Sequence, residues 1–243
     1  MNISVVIPAY NEEKRIESSL KLVIEYLRSN FNEYEIIVVD DCSTDNTGKI
    51  VSKYAPSNVR TLRNEINRGK GYSVKKGILN ARYPMVLFSD SDLATPINEL
   101  KNFTAYITDH KYDIVIASRN LKNSNIKNKQ PAYRQVVGKI FPKLVSLIIM
   151  KGFKDTQCGF KLFNADAGKN ISHLQTIDGF SFDVEMLLIA KKMGYKVKEA
   201  PVVWIDKEGS TVRTIRDGMR MMVDLVRIKC NDISGKYSVR NQQ

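Results

Sequence analysis

Residues 86–96 read VLFSDSDLATP. A hydrophobic run closes on two aspartates, Asp90 and Asp92, one residue apart, and then on the pair Thr95-Pro96. Carboxylates this close repel one another unless something positive lies between them. A solvated turn with Thr95 as N-cap and Pro96 opening a helix explains the Thr-Pro pair. It leaves the two acids without a reason. A buried strand that ends in this way predicts a cationic partner at its tip.

The first half of the chain alternates strand and helix signals. ISVVIP (3–8) reads as a buried strand, and Ile16, Leu20, Val23 and Leu27 follow at the four-three-four spacing of an amphipathic helix. EIIVVD (35–40) is a second strand, followed by the turn DCSTDNT and a short helix to about Tyr54. VRTL (59–62) is a third strand, and Gly-rich NRGKGYS opens a helix carrying Val74, Ile78 and Ala81. MVLFS (85–89) and DIVIAS (113–118) are the fourth and fifth strands. Strands separated by helices of this length predict a parallel sheet with right-handed crossovers. Ligands of such sheets sit at the carboxyl ends of the strands. Three polar clusters fall there: PAYNEE, DDCSTD and SDSD.

The pattern changes after Arg119. NLKNSNIKNKQPAY (120–133) reads as a polar loop. RQVVGKIFPKLVSLIIMKGF (134–153) reads as two apolar-faced helices broken at Pro142. FDVEMLLIAKKMG (182–194) predicts a helix with Phe182, Met186, Ile189, Ala190 and Met193 on one face and Gly194 as its stop. KVKEAPVVWI (196–205) reads as one strand. A last helix carries Val212, Ile215, Met219, Met222 and Val226 on one face, with Arg213, Arg216, Arg220 and Arg227 elsewhere. Residues 231–243 read as a frayed polar tail.

At 243 residues the chain suits one large domain, with 1–119 and 120–230 as its two halves. Cys42, Cys158 and Cys230 are scattered without CxxC spacing, which favours a reducing compartment over a disulfide scaffold or structural zinc. MNISVVIPAYNEE has no basic leader before a long apolar run, so no signal peptide is expected. No apolar run is long enough to span a bilayer. Lys and Arg number 38 against 26 acids, a net charge of +12, which attracts polyanions: nucleic acid, anionic lipid or phosphorylated small molecules. Aromatics are not interleaved with the basic runs, and acids at strand ends repel phosphate, so nucleic acid is disfavoured. IPAYNEE in place of a GxGxxG turn disfavours a dinucleotide dehydrogenase.

An acid pair at a strand tip suits a hard divalent cation that also holds a diphosphate. Mg²⁺ is commonly bound by one or two carboxylates plus phosphate oxygens, and such a metal neutralises charge on a departing diphosphate. VVIPAYNEE, IIVVDDCSTDNT, NRGKGYSVKKGI and FSDSDLATP resemble, in order and spacing, the family 2 glycosyltransferases. DTQCGFKLF and FDVEMLLIAKKMGYKVKEAPVVW resemble the branch of that family that glucosylates dolichyl phosphate. The resemblance covers roughly residues 3 to 230. It implies a GT-A, Rossmann-like, mostly parallel α/β sheet flanked by helices, with C-terminal amphipathic helices.

The resemblance also implies roles. Pro8, Ala9, Tyr10 and Glu12 would line the base and ribose. Asp40, with Asp41 beside it, would meet the base or ribose edge, and Lys70 would approach the nucleotide. Asp90, beside Ser91, would touch the ribose or diphosphate, and Asp92 would bind Mg²⁺ or Mn²⁺, leaving Asp90 and Asp92 as the metal ligands. The donor in that branch is UDP-glucose and the acceptor a polyprenyl monophosphate. Cys42 and Ser91 depart from the family's usual small residues, Gly or Ala.

A phosphate monoester is largely ionised at neutral pH, so it can attack the anomeric carbon without a strong base. Catalysis then rests on positioning and charge neutralisation. Arg119, Arg134 and Lys207 are candidate cations for the acceptor phosphate, with Ser210 beside them. Asp183 is weighed as a positioning group ahead of a general base. GDP-mannose, another UDP-sugar or a soluble glycan acceptor are the alternatives. Residues 134–150 and 211–229 combine an apolar face with basic residues, as helices at a membrane interface do. The expected setting is peripheral, at the cytoplasmic face of a membrane. Oligomeric state is not legible.

Overall fold

Strands with hydrophobic residues on both faces need a layer on each side, and this constraint organises the chain. A computed structural model describes residues 1–127, 141–207 and 214–238. In chain order the elements are β1 (Asn2–Ala9), α1 (Ile16–Asn30), β2 (Glu33–Asp40), α2 (Thr47–Ser52), β3 (Val59–Arg63), α3 (Lys70–Leu79), β4 (Met85–Ser89), α4 (Leu100–Thr108), β5 (Ile114–Ser118) and β6 (Asn125–Lys127). Then follow α5 (141–148), β7 (Phe160–Asn164), α6 (Ala165–Leu174), α7 (Phe182–Lys192), β8 (Val197–Pro201), β9 (Val203–Ile205) and α8 (Thr214–Ile233).

Seven strands form one sheet in the order β3-β2-β1-β4-β7-β5-β8. β7 is antiparallel to both neighbours, and every other pairing in this sheet is parallel. Val5, Ile7, Leu87 and Val115 face one core with α1, closed by Ile16, Leu20, Val23 and Leu27. Val6, Val86, Phe88, Ile114 and Ile116 face the other, with residues of α3, α6, α7 and α8. The expected mostly parallel sheet between helical layers is the observed fold.

Several local expectations need correction. FKLFN, which carries no strand prediction, is β7, inserted between β4 and β5. KVKEAPVVWI is two strands, because β8 joins the large sheet while β9 pairs with β6. That pairing also orders residues 125–127 within the expected polar loop. Phe182–Ala190 of α7 are all buried, so this helix is enclosed on every side rather than one-faced. Thr95 does not cap a helix; its hydroxyl lies 3.5 Å from Cys158 Sγ. The expected fraying after residue 230 is not seen as far as Ser238: α8 continues to Ile233, and Tyr237 is fully buried. Pro142 lies within helical 141–148, and the segment before it falls outside the described residues.

α3 crosses β1 and β2 at Gly77, where a Cβ would come 2.2 Å from Val6 Cγ1 and 3.2 Å from Val39 Cγ2. Alanine is intrinsically better than glycine in a helix by about 1 kcal/mol. Here overpacking against two stiff valines costs about 1–3 kcal/mol. Gly77→Ala is therefore expected to destabilise the fold. Urea unfolding with an unchanged m-value and a lower midpoint would bear this out.

Candidate active site

β2, β1 and β4 are parallel neighbours, with Ala9 paired to Asp40, so their carboxyl ends share one edge of the sheet. β7 begins at that edge, with Phe160 opposite Ser89. Each of the three turns leaving β1, β2 and β4 holds a non-glycine residue in the left-handed region: Asn11 (φ 54°), Cys42 (φ 63°) and Leu93 (φ 50°). Such a conformation costs roughly 1–2 kcal/mol per non-glycine residue. This explains why glycine is natural at the position of Cys42. For buried, branched Leu93 the strain is larger evidence, because it re-aims the chain immediately after Asp92.

The acids of β2 do two different jobs. Asp40 Oδ2 meets Arg63 Nη1 at 2.6 Å and Oδ1 accepts the Ser43 N–H at 2.8 Å. Asp41 organises the Gly-rich turn: its carboxylate accepts from Asn64 Nδ2 (2.7 Å), the Arg68 N–H (2.9 Å) and the Gly69 N–H (2.8 Å). Buried carboxylates need such donors. Asp41 thereby sets the turn that presents Lys70.

At the tip of β4 the positive partner is Lys70, whose Nζ lies 2.6 Å from Asp90 Oδ1. Burial pushes the Lys70 ammonium down, and Asp90 and then Asp183 reverse this and hold it above its usual range. Gly159 backs Asp90: its carbonyl accepts the Asp90 N–H at 3.0 Å, and a Cβ on Gly159 would fall 2.0 Å from Asp90 Oδ2. Asp183 is buried at the start of α7, 2.5 Å from Lys161 Nζ. Lys161 also donates to the Cys158 carbonyl at 2.8 Å. Burial raises the Asp183 pKa and Lys161, then Lys70, opposes the rise. Both lysine ammoniums lie over the Phe88 ring, at 5.3 and 5.8 Å.

Asp92 is the acid left short of positive charge. Its Oδ1 accepts the Ala94 N–H at 2.9 Å, and its pKa is raised by burial and then by Asp90, more than Lys70 and Arg15 can offset. A divalent ion there would remove the mismatch, so the residues fit one. Among the described residues no group of three or more His, Cys, Asp or Glu is arranged to hold a metal. The acid pair alone therefore offers an incomplete shell, as suits Mg²⁺ or Mn²⁺ completed by phosphate oxygens.

Pro8 and Ala9 are buried at the end of β1, and Tyr10 is 41% exposed beside them. Glu12 is bidentate with Arg15 at 2.8 Å, and Ser91 is buried. Arg119 donates Nε and Nη2 to buried Asp155 at 2.7 and 2.9 Å and stacks 5.5 Å from Trp204. Lys207 is exposed, while Arg134 and Ser210 lie outside the described residues. Sequence reasoning missed Lys161 and Gly159. A lone lysine inside apolar FKLF was the available signal, because a buried ammonium requires a carboxylate.

Residues 4–171 match the sequence profile described as Glycosyl transferase family 2. The chain belongs to that family. It is 35% identical over 252 residues to a dolichyl-phosphate beta-glucosyltransferase of Dictyostelium discoideum, covering 98% of this chain and 77% of that one. Among solved structures it resembles glucosyl-3-phosphoglycerate synthase from Mycobacterium tuberculosis in complex with Mn²⁺ and UDP-glucose (TM-score 0.67, 18% identity, covering 95% of this chain and 79% of that one). It also resembles Staphylococcus aureus TarS 1–349 in complex with UDP-GlcNAc (TM-score 0.61, 22% identity, covering 94% of this chain). The chain spans 66% of that structure's length. The protein is a GT-A-fold glycosyltransferase related to the dolichyl-phosphate glucosyltransferases.

A raised folded pKa means that the native state holds the Asp92 proton more tightly than the unfolded chain does. Ionised Asp92 thus lowers stability above its unfolded pKa, and this contribution disappears as pH falls. Asp92→Asn keeps the acceptor for Ala94 and removes the charge. It is expected to raise the melting temperature of the metal-free protein at neutral pH. An unchanged or lower value would contradict the electrostatics described.

Proposed function

We propose that this glycosyltransferase moves glucose from UDP-glucose to a polyprenyl monophosphate with inversion. The observation carrying the proposal is the acid pair at the end of β4, with Asp90 neutralised by Lys70 and Asp92 still short of positive charge. The similarity to dolichyl-phosphate beta-glucosyltransferases supports this donor and acceptor.

An acceptor phosphate oxygen forms a bond to the anomeric carbon as the bond from that carbon to the diphosphate oxygen breaks. The electron pair leaves with UDP. A bound Mg²⁺ or Mn²⁺ would supply charge neutralisation of that leaving diphosphate, held by Asp92 with Asp90 alongside. Lys70 keeps Asp90 oriented and adds positive charge to the same edge. Tyr10, Pro8 and Ala9 line the place for the base, near Asp40 and its Arg63. Asp183, locked to Lys161, acts as a positioning group, in keeping with an acceptor that arrives already ionised. Arg134, Lys207 and Ser210 are assigned to the acceptor phosphate.

The lipid acceptor asks for a surface beside the cleft. Met219, Met222, Val223, Val226 and Ile233 recur at spacings of three, one, three and seven along α8, and all are exposed. Leu225 and Ile228 on another face of the same helix are buried. Arg220 and Arg227 are exposed as well. An apolar stripe with basic neighbours suits an anionic bilayer interface. Among the described residues no helix is long and apolar enough to cross a membrane.

Incubation with radiolabelled UDP-glucose, polyprenyl phosphate and Mg²⁺ is expected to move label into the organic phase, and chelation of the metal should stop it. Label appearing only with GDP-mannose or another UDP-sugar would reassign the donor, and none with any donor would reject the proposal. Replacing Val223 and Val226 with Asp should weaken retention on anionic vesicles while leaving UDP binding unchanged. Equal retention would remove α8 from the membrane contact.

A further inference from the structure

Glu185 is fully buried on α7, two residues beyond Asp183, and faces four donors. Its Oε2 accepts the N–H groups of Thr176 and Ile177 at 2.9 and 2.8 Å. Its Oε1 accepts the Thr176 hydroxyl and the Tyr237 hydroxyl, each at 2.6 Å. Asn231 Nδ2 joins the cluster, 3.1 Å from Thr176 Oγ1 and 3.3 Å from Tyr237 Oη. Burial, and then the bond to Glu185, pushes the Tyr237 phenol up, so it stays a donor. The carboxylate is thus held by hydrogen bonds that tie the C-terminal segment to residues 176–177.

Those residues belong to a strap, 175–181, that lies directly on the Gly-rich turn. The Tyr72 N–H donates to the Asp178 carbonyl at 3.2 Å, and Gln175 Nε2 donates to the Gly71 carbonyl at 2.9 Å. Lys75 Nζ reaches the Gln175 carbonyl at 2.7 Å, and Arg68 pairs with Asp178 at 2.9 Å. The approach leaves no space for side chains: a Cβ on Gly69 would lie 2.5 Å from the Asp178 carbonyl oxygen, and one on Gly71 2.6 Å from that of Ile177. Lys70 sits between these two glycines and carries the charge that meets Asp90.

We propose that Glu185 is a positioning residue, which, anchored by Tyr237 of the C-terminal segment, holds strap 175–181 against the Gly-rich turn and so fixes Lys70 on Asp90. The inference deepens the proposed function, since the site it serves is the nucleotide-diphosphate site. It makes the segment after α8 part of the donor site's support, through the bond from Tyr237 to Glu185.

The test uses the whole chain with Tyr237→Phe, which removes one hydroxyl, and Glu185→Gln, which keeps the shape and removes the charge. Amide hydrogen exchange at 69–73 is expected to quicken about tenfold in Tyr237→Phe, the loss of one bond to a charged acceptor, and by more in Glu185→Gln, whose amide nitrogen cannot accept the two bonds that one carboxylate oxygen takes, while α1 on the opposite face is unchanged. In a wild-type chain that binds UDP, Tyr237→Phe should weaken UDP binding by a similar factor. The same substitution in a Lys70→Ala background should add nothing further, because the two act through one contact. Additive losses, or unchanged exchange at 69–73, would overturn the inference. If the wild-type chain binds no nucleotide, the proposed function fails and the exchange measurement alone decides the latch.

Discussion

The arrangement on which the edge of the sheet depends is an alternation of charge: half-buried Lys70 against Asp90, and fully buried Lys161 against Asp183, around the ring of Phe88. Buried ions are costly unless each has a counter-charge and further hydrogen bonds. Lys161 has both, with Asp183 as its counter-charge and the Cys158 carbonyl as a second acceptor. Gly159 fixes the Asp90 backbone by accepting its N–H. The set joins β4, β7, α3 and α7 at one point. Asp92 stands just beyond it, and its unrelieved repulsion from Asp90 is the feature that a metal-bound diphosphate would use.

Close backbone approach makes the arrangement possible. Gly69, Gly71 and Gly159 each stand where a methyl group would fall 2.0–2.6 Å from a neighbouring atom. A Gly-rich turn here serves two ends: Asp41 caps its N–H groups, and strap 175–181 lies against it. The left-handed residues Asn11, Cys42 and Leu93 add strain at the same edge. Local strain beside a compensated charge network is the pattern expected of a binding site held open for a ligand.

Much of this was legible in the sequence, for identifiable reasons. β1, β2 and β4 are buried on both faces, so their hydrophobic runs stand out, and the acids at their ends mark the ligand edge. α1 was legible because one face alone is buried. β7 was not, because a five-residue segment with a lysine at its second position lacks a strand's pattern until Asp183 is known to be its partner. The split between β8 and β9 depends on which sheet each joins, which periodicity cannot encode. Asp41 reads as a ligand from type and position alone, and only the donors around it show a carboxylate spent on a turn. Tyr237 is one aromatic in a polar tail, and its burial depends on Glu185, fifty-two residues away.

The acid pair ending β4 is proposed to bind a nucleotide diphosphate through a shared divalent cation. Calorimetric titration of UDP into the wild-type chain, with and without Mn²⁺, tests this most directly. UDP should bind tightly only when the metal is present, and the Asp92→Asn variant should lose that metal-dependent gain. UDP affinity that is indifferent to the metal, or a gain that survives removal of the Asp92 charge, would contradict it.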